Sequence, residues 1–209
     1  ADSDTITYHL LVDDNSAFNN VEANISSITS GTTNANTTWD STVTFAVDTV
    51  FYWKVRANDS TGFSSFSDTF NFTVDSLLSI SFLSSNISFG DMLPDTVNNT
   101  TDNSPLPFTI ENSGNIQSNV TLTATQLFPA VDFPSNNFQF KIAENESDAL
   151  DLTNSTTDWE NFNTSSSTPH VVYLDWQSIS NDFLVHVLVN VPENESNADI
   201  NSTITFTIE

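Results

Sequence analysis

Apolar side chains in this chain recur at every second position in short runs, and no run keeps the spacing of three and four that a buried helix face requires. The runs are Ile6 to Val12, Thr42 to Val47, Val50 to Ala57, Thr69 to Val74, Leu77 to Leu83, Phe108 to Glu111, Asn119 to Thr125, Phe138 to Ile142, Val171 to Trp176, Phe183 to Val191 and Ser202 to Ile208. Asn, Asp, Ser and Pro break the pattern between them, which predicts an all-β protein of eleven short strands. Ser147 to Leu152 offers at most one helical turn. Ser, Thr and Asn supply 83 of 209 residues, yet 37% of the chain is hydrophobic and 17 residues are Phe, enough apolar mass to bury a core.

The alternation closes at Val74 and reopens at Leu77, so a seam is expected at Asp75 and Ser76. Residues 1–75 are short for a complete sandwich, whereas 76–209 are long enough for one. Absence of Cys excludes disulfides, thiolate metal sites and cysteine nucleophiles. No apolar run approaches the roughly 18 residues of a membrane span. The sequence reads as a mature or trimmed ectodomain.

Lys54, Arg56 and Lys141 are the only basic side chains against 27 acidic ones, giving a formal charge of -24. A phosphate-binding surface needs clustered Lys and Arg, so nucleic acid is excluded as a partner. Strand phase puts Tyr52, Lys54 and Arg56 on the outer face opposite Phe51, Trp53, Val55 and Ala57, and the two cations are expected to balance acidic residues on neighbouring strands.

Residues Tyr8-His-Leu-Leu-Val-Asp13, Ser16-Ala-Phe18, Val50-Phe-Tyr-Trp-Lys-Val-Arg-Ala57, Gly62, Ser65, Ser67 and Phe70-Asn-Phe-Thr-Val74 together resemble a fibronectin type III domain of prokaryotic surface proteins. The resemblance runs through the whole segment before the seam and makes these stretches the third strand, the sixth strand, the loop after it and the last strand. With a second sandwich expected over 76–209, the fold is expected to be two tandem antiparallel β-sandwich, immunoglobulin-like domains, the first lacking its N-terminal strands, to be supplied by an upstream segment or a neighbouring subunit. Phe51 stands where that family's tyrosine corner has its hydroxyl. Ile87-Ser-Phe-Gly90, Pro107-Phe-Thr-Ile-Glu-Asn112, Gly114-Asn115, Asn119-Val-Thr-Leu-Thr-Ala124 and Ile204-Thr-Phe-Thr-Ile208 resemble extracellular sandwich domains of archaea and bacteria, faintly the camelysin and TasA class of biofilm fibre proteins. That likeness implies a surface or matrix role and no chemistry.

Asn-x-Ser/Thr acceptors stand at Asn24, Asn36, Asn58, Asn71, Asn86, Asn98, Asn99, Asn119, Asn145, Asn154, Asn163, Asn194 and Asn201. Chance would give about 7 at this Ser and Thr content. Asn24, Asn71, Asn86, Asn119 and Asn201 are out of phase with their apolar neighbours and are expected to face outward; covalent N-glycans are therefore expected. Asp2, Asp4, Asp13, Asp14 and Asn15 flank the first strand with oxygen ligands suited to calcium, against the alternative of a solvated acidic loop. No other cofactor is expected. His9, His170 and His186 show neither zinc spacing nor a Gly-framed serine, so they are expected to be structural and the protein is not expected to be an enzyme. Trp39 and Trp159 lie in loops, where they would stack on sugars or plug the ends of a sandwich.

These features lead to an extracellular structural subunit of a glycosylated cell-surface filament or S-layer, archaeal or bacterial, that polymerises with copies of itself by edge pairing or strand donation. The alternative is a monomeric adhesin or carbohydrate- or solute-binding ectodomain.

Overall fold

A computed structural model describes residues 5–29, 36–59, 61–195 and 199–209. The chain is all-β, with no helix among the described residues, and divides into two compact units, Ala1–Ser76 and Leu77–Glu209.

The first unit contains one antiparallel sheet, ordered β2 (Ala23–Thr29), β1 (Thr7–Asp13), β3 (Thr49–Asn58), β4 (Phe70–Val74). Register aligns Leu10 with Val55, Val12 with Trp53 and Phe51 with Phe72, so one face is apolar. Val12, Ala23 and Phe51 are buried there, and Phe51 stacks on Phe72 at 5.6 Å between ring centroids. Phe51 uses its whole ring for packing, worth about 1.5–3 kcal/mol. Strand β2 breaks the alternation: Ser27 takes a left-handed φ of 66°. The register slips there as at a bulge, and Ile25 and Ile28 end opposite Leu10 and Tyr8 on the same face.

Thr42 to Val47 is not a strand. Val43 and Phe45 do turn inward against the apolar face, Phe45 lying 4.8 Å from Phe51, but the segment pairs with no strand. Alternation here records side-chain docking rather than a backbone ladder.

The second unit stacks two sheets around one core. The larger runs β10 (Glu160–Asn161), β9 (Phe138–Glu144), β12 (Asp182–Asn190), β7 (Phe108–Asn112), β5 (Ile80–Ser84), with β6 (Val97–Asn99) pairing the far half of β12 beyond the reach of β7. The smaller is β11 (Val171–Leu174), β8 (Ser118–Ala124), β13 (Ile204–Ile208). Inward residues alternate along each strand, as in Val120, Leu122 and Ala124 of β8 facing Phe138, Phe140 and Ile142 of β9 in one cluster. Phe162 is fully buried and lies 4.4 Å from Phe138 and 4.7 Å from Phe140, closing the core from the loop side.

Asn112 ties the two sheets together. Its Nδ2 donates to the carbonyls of Ile116 and Leu174 and lies 3.2 Å from Ser118 Oγ, while its Oδ1 accepts the Gly114 N–H. Burying an amide at 1% exposure is tolerable because each of its polar atoms is used.

Candidate functional site: a sequon-bearing face with stacked cations

The outer face of the first sheet carries the densest polar arrangement in that unit. Segment 63–67 runs beside β3 with a period of three rather than two. Ser64 and Ser67 each zip to the strand twice: their N–H groups donate to the carbonyls of Ala57 and Val55, and their Oγ atoms accept the N–H of the same two residues. The intervening Phe63 and Phe66 are thereby aimed at the side chains of β3. The Arg56 guanidinium lies 3.9 Å over Phe63 and 4.6 Å over Phe66, and Lys54 Nζ lies 5.0 Å over Phe66 and 3.9 Å over Phe18. Ring, cation, ring, cation, ring form a ladder across the sheet.

This corrects the expectation that Lys54 and Arg56 are balanced by carboxylates on adjacent strands. Their cross-strand partners on β1 are Leu11 and His9, and among the described residues neither makes an ion pair. Lys141 follows the same rule, 5.1 Å from the Trp159 ring. All three Lys and Arg side chains of the chain are held by aromatic quadrupoles. Each such contact is worth about 0.5–2 kcal/mol according to its exposure.

Arg56 also begins a relay. Its Nε–H donates to His9 Nδ1 at 3.0 Å. That bond leaves the ring proton on Nε2, since the partner of one ring nitrogen sets the tautomer. His9 Nε2 then donates to Asn24 Oδ1 at 2.7 Å. The sequon amide is thus held through its oxygen, and Nδ2, the atom a glycan would occupy, stays outside the relay.

Of the thirteen sequon asparagines, Asn24, Asn36, Asn71, Asn86, Asn145, Asn154, Asn163, Asn194 and Asn201 are exposed, and Asn58, Asn98, Asn99 and Asn119 are half-buried. Asn119 Oδ1 accepts the N–H of Tyr173, pinning a β11 bulge in which Tyr173 takes φ 56°. Asn99 and Asn163 likewise use Oδ1, to cap the N–H of Thr101 and Thr164. Asn145 and Asn154 instead donate Nδ2 to Asp182 and Asp151. The sequon of Asn98 is compromised by its third residue: Thr100 is fully buried and its Oγ1 accepts the Val187 N–H.

Asp2 and Asp4 lie outside the described residues. Asp13 is fully buried, its two carboxylate oxygens accepting the N–H of Asn15 and of Asn20 at 3.2 Å, so it shapes the turn after β1; Asn15 Oδ1 caps Ala17, and Asp14 is exposed. The described residues do not bring three or more His, Cys, Asp or Glu side chains together in a metal-binding geometry. Trp39 packs against the apolar face of the first sheet, and Trp159 stacks with Lys141.

His170 Nδ1 accepts the Leu122 N–H, and burial lowers its pKa, an effect that Glu160 at 3.9 Å partly offsets. His186 lies beside Thr100, its pKa also lowered by burial and, less, by Lys141. Asp182 shows the reverse. Burial raises its carboxyl, Glu146 and Glu111 add to the shift, and its Oδ1 is buried without a partner.

Two clefts border the apolar faces, the first mainly apolar and the second lined about equally by polar and apolar groups. One of about 680 Å³ lies on the inner face of the first sheet, between Leu10, Trp53 and Val55 and the segment of Trp39. The other, about 1470 Å³, lies in the second unit among Phe82, Phe108, Phe138 and Phe206, with Ile87 and Phe89 of the 85–94 segment at its wall. No helix among the described residues is long and apolar enough to cross a membrane. No family model, curated protein or solved structure matches the chain.

Proposed function

We propose that the protein is a structural subunit of an extracellular, N-glycosylated filament or layer on a prokaryotic cell surface, built from a fibronectin type III-like unit followed by a second immunoglobulin-like sandwich. Copies of the chain are its partners, and the contact is sheet-edge pairing or donation of a strand onto the first unit. The observation that carries this reading is the one-sided first sheet. Its apolar face presents Leu10, Trp53, Val55 and Phe72, half-buried, and within that unit only the segment around Trp39, Val43 and Phe45 packs across it among the described residues. Sandwich sheets bury such a face against a second sheet, and an open one with free edge strands is a template for another chain. A contact of this head-to-tail kind extends into a fibre when its rotation does not close a ring.

The histidines serve hydrogen-bond and packing roles. Electron microscopy of the native glycoprotein, paired with sedimentation velocity of the 209-residue chain over a concentration series, tests the reading. Fibres or sheets, and association that a Trp53→Arg substitution on the open face abolishes, are expected. A stable monomer at all concentrations, with no ordered polymer, overturns it.

The larger cleft of the second unit favours one rival, a monomeric ectodomain that binds a solute or carbohydrate, because a concave surface that sets aromatic rings beside polar side chains suits such a ligand. That rival predicts no self-association.

A further inference from the structure

We infer that the outer face of the first sheet is a saccharide-binding platform whose occupant is an acidic glycan carried by Asn24. The inference rests on the N-glycosylation reading above and specifies the class of sugar and its seat.

Strand register supplies the first argument. Asn24 lies opposite Leu11, Asn58 opposite Thr7 and Asn71 opposite Tyr52. Paired residues share a face, so these three sequons lie on the face that carries His9, Lys54 and Arg56, while Leu10, Val12, Phe51, Trp53, Val55 and Phe72 occupy the other. Glycans there leave the apolar face clear.

The relay supplies the second. With Oδ1 of Asn24 engaged by His9, the sugar-bearing nitrogen has a fixed origin one residue from the ladder, since His9 lies 5.8 Å from both Phe63 and Phe66. Phe63 gives one ring face to Arg56 and keeps 51% of its surface exposed. An exposed aromatic ring beside polar groups suits the C–H face of a sugar, which is apolar while its hydroxyls are not.

Charge supplies the third. Arg56 commits Nε to His9, and its remaining N–H donors have no carboxylate partner among the described residues. A stacked guanidinium with an open fork matches a carboxylate in two-point geometry. The rest of the chain is so acidic that Lys54 and Arg56 form its single cationic patch on this unit, and a uronic-acid sugar satisfies both the ring and the fork. A neutral sugar would use the ring alone.

Native-state periodate oxidation of the intact glycoprotein, followed by site-resolved glycopeptide mass spectrometry, tests this. The Asn24 glycan is expected to contain a uronic acid and to oxidise about fivefold more slowly than the glycan on the exposed loop residue Asn163, the scale of one cation–π or stacking contact. Phe63→Ala, which truncates a half-exposed ring and spares the core, and Arg56→Gln should each abolish the difference. Equal rates in the unsubstituted protein, a neutral glycan at Asn24, or protection unchanged in both variants overturn the platform and leave N-glycosylation standing. So does an unoccupied Asn24 beside occupied sites elsewhere. Protection of this face that appears only on polymerisation overturns it in favour of a protein interface. Absence of sugar from all thirteen asparagines overturns the platform and the glycosylation reading together.

Discussion

The Nδ1 atom of His170 accepts the backbone N–H of Leu122 at 2.9 Å, so an imidazole stands in for a ladder carbonyl on β8. The ring reaches this position because the His170 N–H donates to the Val120 carbonyl and its edge meets the Phe140 ring at 5.0 Å. Protonating Nδ1 would set N–H against N–H. Burial lowers the folded pKa below the unfolded value of about 6.5. The neutral form therefore contributes stability that is present above that value and lost as pH falls through the folded pKa. His186 shifts in the same direction. Urea unfolding is expected to show a lower midpoint at about pH 5 than at about pH 7.5. His170→Gln should cost about 1 kcal/mol at the higher pH and flatten the pH dependence.

Asp182 carries the opposite sign. Its folded pKa is raised, so its burial costs stability once pH rises through that value. The cost vanishes below the unfolded value of about 3.9. Its Oδ1 has no partner, and Glu146 and Glu111 repel its charge. Asp182→Asn keeps the shape and an acceptor for Asn145 while removing the charge. The variant is expected to be more stable by about 1 kcal/mol near neutral pH, with the gain disappearing toward about pH 4. Chemical denaturation at both pH values checks it.

Gly114 leaves no room for a side chain. A Cβ there would stand 2.1 Å from the Leu77 carbonyl oxygen, which is backbone and itself accepts the Asn115 N–H. Leu77 N–H in turn donates to Asn115 Oδ1. Gly114→Ala must displace this latch at the start of the second unit and should destabilise that unit by about 1–3 kcal/mol, read from thermal or urea unfolding.

Phe66 is the shared rung of the ladder, touching Arg56, Lys54 and His9. Phe66→Ala should destabilise the first unit by about 2–3 kcal/mol, adding two cation–π contacts to lost packing. Phe66→Trp is expected to retain the ladder. Proteolysis after Lys54 and Arg56 under native conditions should accelerate in the alanine variant alone.

Sequon occupancy should follow the third residue's access as well as the asparagine's. With Thr100 buried beneath β12, Asn98 is expected to stay unmodified in protein glycosylated after folding, while Asn71, Asn86 and Asn163 are modified. Glycopeptide mass spectrometry at each site decides this, and full occupancy at Asn98 would place modification before folding.

The long alternating runs are legible because β3 and β12 pair on both edges and turn alternate apolar side chains, Phe51, Trp53 and Val55 in one and Phe183, Val185, Val187 and Val189 in the other, toward a core. Strand β2 is not, since the Ser27 bulge shifts Ile25 and Ile28 out of phase, and β6 and β10 are too short to carry a period. Thr42 to Val47 misled for the converse reason: Val43 and Phe45 alternate inward without any backbone partner. Outward phase at Asn24 and Asn71 could be read from the sequence, but the half-burial of Asn119 depends on a bulge in another strand. The ladder is not legible in the sequence because two periods meet in it. Lys54 and Arg56 repeat every second residue, Phe63 and Phe66 every third, and only the serine zip brings them into step.

Stacking every Lys and Arg on a ring has a consequence for solutions of high ionic strength. Counter-ions weaken attraction between opposite charges as readily as repulsion between like ones. Among the described residues no Lys or Arg is paired with a carboxylate, so little attraction is available for them to weaken. The 27 acidic groups, in contrast, repel one another. Among the protein's own Lys, Arg, Asp and Glu groups, added electrolyte therefore acts chiefly in one direction, relaxing self-repulsion and bringing copies closer.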